Sequence, residues 1–201
     1  MIVVVEGISA GGKTTWCSRH GGEHVVAEHG RFANAPDRAQ QPQAAAAFWA
    51  ERNVERWQAA LHQQARSAWA ICDSDPLKLH YIWTLWRIGE ASEQDWRLER
   101  DATRATLAQG RIGFADRYLV ARIDPQLARE RARADLTRRR SNFELHVRLQ
   151  PALLEWYAAL ESVLPGRVRF DLPAALPALE RQASPCALTT FDRMLAALPR
   201  A

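Results

Sequence analysis

The first fifteen residues, MIVVVEGISAGGKTT, constrain this chain more than any other stretch. Ile2 to Val5 form a short, β-branched aliphatic run bounded by glycine, which reads as a buried strand. Behind it, Gly7-Ile8-Ser9-Ala10-Gly11-Gly12-Lys13-Thr14 satisfies the pattern G-x-x-x-x-G-K-[ST] at each fixed position. The spacing has a physical purpose. The glycines let the backbone fold tightly enough for several N–H groups to converge on one phosphate chain. A helix opening near Lys13 points its positive dipole end at the same anion. Lys13 can reach the β- and γ-phosphates, and the Thr14 hydroxyl can ligate Mg²⁺. Gly7, Ser9, Ala10, Gly11, Gly12, Lys13, Thr14 and Thr15 are therefore the expected nucleotide-binding residues. The choice of lysine is itself informative. Of 27 Lys and Arg residues, only Lys13 and Lys78 are lysine. A compact point charge stands where a phosphate is expected, in a chain that otherwise uses the guanidinium fork.

The 201 residues can bury one sizeable core, so a single domain spanning 1–201 is expected. No apolar run approaches the ~20 residues of a membrane span, and no membrane partner is expected. Met1 leads directly into the first strand, leaving no room for a signal or transit peptide. The three cysteines, Cys17, Cys72 and Cys186, are odd in number and far apart, which argues for reduced thiols in a cytoplasm. The net charge of +4 and pI of about 9.3 suit an anionic ligand. They would also suit nucleic acid, but the arginines are spread along the chain with one dense cluster, so nucleic acid is not the expected partner. A homodimer is compatible with the sequence.

Along the chain, Thr14 to His20 reads as a short helix stopped by Gly21-Gly22. His24 to Glu28 reads as a second strand, with Glu28 at the carboxyl end where ligand-facing residues of open parallel sheets lie. Gly30 to Gln43 reads as a loop. Ala44 to Ser67 reads as a long helix, with Ala50, Val54, Trp57, Leu61 and Ala65 on one apolar face. Trp69 to Cys72 is the third strand, followed by Asp73-Ser74-Asp75-Pro76. Leu77 to Glu90 reads as an aromatic-rich helix, and Ser92 to Asp95 as a capping box opening another that Gly110 ends. Arg117 to Ile123 is the fourth strand, and Asp124-Pro125 opens the next helix. Phe143 to Val163 reads as a helix, Arg167 to Phe170 as the fifth strand, and Thr190 to Leu198 as the last helix. Strands alternating with helices imply an α/β fold with a parallel sheet covered on both faces.

On these residues the chain resembles the P-loop small-molecule kinases of the nucleoside and nucleotide kinase type, including thymidylate and deoxynucleoside kinases. Glu6-Gly7 with Gly12-Lys13-Thr14-Thr15 is similar to their opening motif. Glu28 lies where such kinases often carry a glutamate. Asp73 lies where they carry an acidic residue, often followed by Arg, although Ser74 follows here. Ile123 to Arg129 looks like their fourth strand and the helix leading to a lid, and the arginines from Arg133 to Arg140 look like that lid, at roughly residues 131–143. Asp116-Arg117-Tyr118 looks like the missing acidic-Arg pair but precedes the fourth strand. The resemblance implies a three-layer fold with a five-stranded parallel sheet and an Arg-rich lid. It also implies ATP and Mg²⁺ as cofactors and a small-molecule phosphoryl acceptor, most simply a nucleoside or nucleotide.

Roles follow from that resemblance. Glu28 is a candidate base or acceptor-binding group, against the alternative of a solvated carboxylate. Asp73 is a candidate Mg²⁺ holder through water, or the group that handles the acceptor hydroxyl; Asp75 has the same options. Arg133, Arg138 and Arg140 are the lid arginines expected to offset charge on the transferring group. Phe48, Trp49, Tyr81, Trp83 and Trp86 flank the expected acceptor pocket, although most of the eight tryptophans belong to the core by default. Lys78 and Arg52 are surface charges by default and could contact an anionic acceptor. Cys17, His20, His24 and His29 share no helical face and do not suggest zinc. An antibiotic or other metabolite kinase, a nucleotide switch or ATPase acting on a protein, and a nucleic-acid end kinase are the rival readings.

Overall fold

The computed structural model describes residues 1–30, 32–136, 142–176 and 186–199. Five strands form one parallel sheet in the order β2-β3-β1-β4-β5. β1 (Ile2–Gly7) is central and buried along its whole length, between β3 (Ala70–Asp73) and β4 (Arg117–Ala121). Strand β1 is a continuous aliphatic run because a parallel strand has no solvent face. The edge strands are only two residues long, β2 (Val25–Val26) and β5 (Val168–Arg169). Both are shorter than their aliphatic content predicts. β2 pairs only with Ile71 and Cys72 of β3, and β5 only with Tyr118 and Leu119 of β4. Glu28 therefore lies two residues beyond β2 rather than on it.

Helices cover both faces. α1 (Lys13–Gly21) packs Trp16 and Cys17 onto Val3, Val5, Ile71 and Leu119. The larger core on the other face gathers α2 (Pro42–Ser67), α3 (Leu79–Arg87), α4 (Glu93–Ala108), α6 (Phe143–Val163) and α7 (Ala187–Ala197). Trp83, Trp96 and Trp156 meet there, with ring centroids 5.6 Å and 6.3 Å apart along the series. α4 starts with the capping box expected of its sequence: Ser92 Oγ accepts from Asp95 N at 3.0 Å, and Asp95 Oδ2 accepts from Ser92 N at 3.2 Å. α5 (Pro125–Ala134) is capped by Asp124, and α6 begins at Phe143 as its periodicity predicts. Gln150 of α6 reads the Ile123 backbone in both directions, accepting from N at 3.0 Å and donating to O at 2.8 Å. That fixes the exit of β4 over the carboxyl end of the sheet.

Candidate active site

The phosphate loop owes its shape to backbone conformations that few residues adopt. Gly7 has φ 148°, and a Cβ there would stand 2.7 Å from the Ala121 Cβ. Gly12, at φ 91°, caps α1, and Ala10 is held left-handed at φ 62°. Lys13 folds back over the loop, its Nζ donating to Gly7 O at 2.6 Å and Ile8 O at 3.1 Å. Gly7, Ser9, Ala10, Gly11, Gly12, Lys13, Thr14 and Thr15 all line one cavity of about 1630 Å³. That exceeds the volume of an ordinary single-ligand pocket, roughly 300–1,000 Å³.

Glu28 lines the same cavity. Its Oε1 lies 2.5 Å from Lys78 Nζ, which also reaches Ser74 Oγ at 2.6 Å. Burial would raise the Glu28 carboxyl, but Lys78 outweighs it and the net shift is downward. Lys78 is thus a cavity residue and not the plain surface charge of the sequence reading. Burial works against its charge too, and Glu6 and Glu28 more than restore it.

Glu6, only 2% exposed, sits beneath this group. It accepts from Gly7 N at 2.8 Å, Ser74 Oγ at 2.8 Å and Asp75 N at 3.0 Å. Burial disfavours its ionisation, yet Lys78, His80, Lys13 and the Asp75 N–H hold it well below the usual carboxylate range. His80 Nε2 is 3.3 Å away. Burial brings this imidazole down to about 4 despite Glu6, so it faces Glu6 uncharged near pH 7 and the lysines supply the standing positive charge. Glu6 and His80 were not singled out as site residues from the sequence, since their roles depend on which side of β1 the α3 segment covers.

The turn after β3 is held by its main chain. Ser74 is left-handed at φ 76°. The buried Arg56 guanidinium collects the carbonyls of Asp73 at 2.9 Å, Ser74 at 2.7 Å and Asp75 at 3.0 Å. Asp75 points into the core, accepting from Leu77 N at 2.9 Å and Tyr157 Oη at 3.0 Å, and burial pushes its carboxyl up to about 6. It is not among the cavity-lining residues, and neither is Asp73. Asp73 is in register with Val5 and lies near Cys17 of α1, whose thiol is raised first by burial and then by the Asp73 charge.

The donor set fits a magnesium ion held mainly by phosphates. Asp73 Oδ1 is buried without a hydrogen-bond partner, and an oxygen with no donor is available to a metal-bound water. Thr14 opens α1 on the same face of the sheet. No group of three His, Cys, Asp or Glu side chains that could hold a metal unaided occurs among the described residues.

Of the lid arginines, Arg133 is exposed on α5 and does not line the cavity, while Arg138 and Arg140 lie outside the described residues. Arg131 does line it: its Nη1 lies 3.6 Å from the point a Gly12 Cβ would occupy. Two residues apart on a helix, Arg131 and Arg133 point to nearly opposite sides, about 200° apart. Trp49, Asn53, Tyr81 and the Arg38–Glu99 ion pair also line the cavity. Phe48, Trp83 and Trp86 do not: Trp83 is core, Trp86 stacks on Trp96 at 6.1 Å, and Phe48 packs against Phe32 and Trp49. Arg52 lies over the Phe32 and Phe48 rings rather than in the cavity. Asp116 is structural, accepting from Ile2 N at 2.8 Å.

No protein-family model matches the sequence, and no curated protein matches it. Solved structures do resemble it. Deoxyadenosine kinase from M. mycoides with bound dATP superposes with a TM-score of 0.56 over 86% of this chain and 91% of that one, at 15% identity. The same enzyme with dCTP gives 0.53 over 86% and 90%, at 16% identity. With the products dCMP and a flexible dCDP it gives 0.54 over 98% and 97%, at 13% identity. Identity this low speaks for architecture alone, and in architecture the chain carries the P-loop fold of the deoxynucleoside kinases.

Proposed function

We propose that this chain is an ATP-dependent kinase of small molecules, moving the γ-phosphoryl group of Mg·ATP to a hydroxyl of a nucleoside or nucleotide. One observation carries the reading: the phosphate loop and Glu28 line a single cavity, so donor phosphate and proton acceptor share one space. The fold-level likeness to deoxyadenosine kinases supports a nucleoside-type acceptor. The 201 residues then act as one kinase domain, in keeping with a cytoplasmic enzyme. Among the described residues no helix is long and apolar enough to cross a membrane.

In this mechanism the loop N–H groups from Gly7 to Thr15 hold the phosphates. Lys13 exchanges its two loop carbonyls for β- and γ-phosphate oxygens. Glu28 accepts the proton of the acceptor hydroxyl as that oxygen attacks the γ-phosphorus. The bond to the β–γ bridging oxygen breaks, and ADP leaves with the electron pair. Thr14 would hold Mg²⁺ directly and Asp73 through water, where the metal neutralises phosphate charge. Asp73 faces the α1 side of the sheet, so Glu28 is the base. Arg131, which lines the cavity beside the loop, offsets charge on the transferring group in place of Arg133, which does not line it.

The test is a mass-spectrometric screen with Mg·ATP against pooled nucleosides, nucleotides, sugars and antibiotic-like compounds. The expected result is one class of compound gaining a phosphoryl group with the wild type and none with Lys13→Ala. ATP hydrolysis with no phosphorylated product from any pool would overturn the kinase reading in favour of an ATPase.

A further inference from the structure

Glu28 stands two residues past β2, on a stretch without regular structure, and its side chain is 45% exposed. Among the described residues, no hydrogen bond from its own segment holds that side chain. Its position comes from across the cavity mouth. A continuous series of contacts runs from Glu6 Oε2 to Ser74 Oγ at 2.8 Å, on to Lys78 Nζ at 2.6 Å, and on to Glu28 Oε1 at 2.5 Å. The series begins at the buried Glu6, and the Lys78 ammonium ties the exposed Glu28 carboxylate to it. Lys78 adopts φ 48° at the threshold of α3. A non-glycine residue there stores roughly 1–2 kcal/mol of strain, which the surrounding contacts must hold in place. It is also one of only two lysines in the chain, and both line this cavity. An ammonium rotates its three donors freely and can serve acceptors in different planes, which a planar guanidinium does less well.

We propose that Lys78 is the positioning residue of the phosphoryl-transfer base, aiming the Glu28 carboxylate into the cavity. This rests on the kinase reading above. Among the described residues, the charged and titratable groups facing Glu28 are Lys78 and Tyr81 of α3, His80 beside them, Glu6 of β1, Lys13 of α1 and His146 of α6. Glu6 opposes ionisation of Glu28, and both histidines are shifted downward and stand neutral near pH 7. Lys13 acts in the same sense as Lys78 but more weakly, so Lys78 is the dominant partner.

Two measurements separate this proposal from the reading beneath it. In the ligand-free protein, carboxyl ¹³C titration of Glu28, assigned with Glu28→Gln, should move up by about one pH unit or more in Lys78→Met, the shift an adjacent cation ordinarily produces. Lys78→Arg should restore most of it. In the kinase assay, Lys78→Met should carry the acid limb of kcat/KM upward by the same amount. It should also lower kcat about 10–100-fold with the KM for ATP within twofold of wild type, part of the general-base contribution. Lys78→Arg, which keeps the charge and controls for folding, should recover the limb position and part of kcat. An unmoved Glu28 titration in Lys78→Met, or an ATP KM that rises as much as kcat falls, would overturn the proposal. If the wild type phosphorylates nothing, the kinase reading fails, while the titration still decides whether Lys78 governs Glu28.

Discussion

Replacing Arg56 by methionine removes the side chain that gathers three main-chain carbonyls of the turn after β3. Arg56 is 3% exposed, and its two terminal nitrogens donate to three consecutive carbonyls, those of Asp73, Ser74 and Asp75. The left-handed Ser74 is what brings the three oxygens to one place. Methionine fills much of the volume but donates nothing, so three buried acceptors lose their partner. At about 1–1.5 kcal/mol each, toward the low end for an orphaned buried acceptor, the loss is roughly 3–5 kcal/mol. For a chain of this length that corresponds to a melting point lower by about 10 °C, at ~2–4 °C per kcal/mol. Arg56→Lys keeps the charge, but one nitrogen cannot span all three carbonyls, and about 1–2 kcal/mol should be lost. Urea denaturation of the three proteins measures both numbers. Because the turn also presents Asp73 and Ser74, the lysine variant should lose phosphoryl-transfer activity as well as stability. A loss below 1 kcal/mol in Arg56→Met would show that water or a shift of the turn satisfies these oxygens, and the clamp argument would be wrong.

Two further outcomes follow. Asp75 is buried with its carboxyl raised from 3.8 to about 6, so folding favours its proton. The stability it allows is fully present below pH 3.8 and is lost as pH rises through about 6. Asp75→Asn keeps an acceptor for Leu77 N and can donate to Tyr157 Oη. It should stabilise the protein by about 3 kcal/mol at pH 7.5, two pH units at ~1.4 kcal/mol each, and by about half that at pH 5; denaturation at both pH values reads the difference, and a gap that does not widen with pH contradicts it. Gly7→Ala would drive a methyl to within 2.7 Å of the Ala121 Cβ at φ 148°. It should cost about 1–3 kcal/mol and weaken ATP binding by calorimetry, whereas unchanged affinity would mean that the loop does not require this close approach.

Local chemistry made the phosphate loop legible in the sequence, because its glycines, lysine and threonine act within one turn of backbone. α6 was legible to the residue for a similar reason: its apolar face repeats over 21 residues without interruption. The edge strands were not. Aliphatic content marks burial, but a strand ends where its neighbour stops pairing, and the neighbour is set by the β2-β3-β1-β4-β5 order, which no local pattern carries. The sequence marks Lys78 as a default surface charge that could contact an anionic acceptor; its contact with Glu28, fifty residues away, depends on the fold. Arg131 was hidden by helix phase. A run of alternating arginines looks uniform in the sequence, and only the phase of α5 against the loop decides which of them faces it. The Arg38–Glu99 pair joins a loop to α4 across 61 positions, a distance over which composition is silent.

Arg56 grips oxygens that every residue possesses. That clamp does not depend on side-chain identity, and a second set of contacts beside it does: Ser74 Oγ donates to Glu6, and the Asp75 carboxylate accepts from Leu77 N and Tyr157 Oη. Ser74 thereby keeps its hydroxyl for the contacts that join Glu6 to Lys78, at 2.8 Å and 2.6 Å.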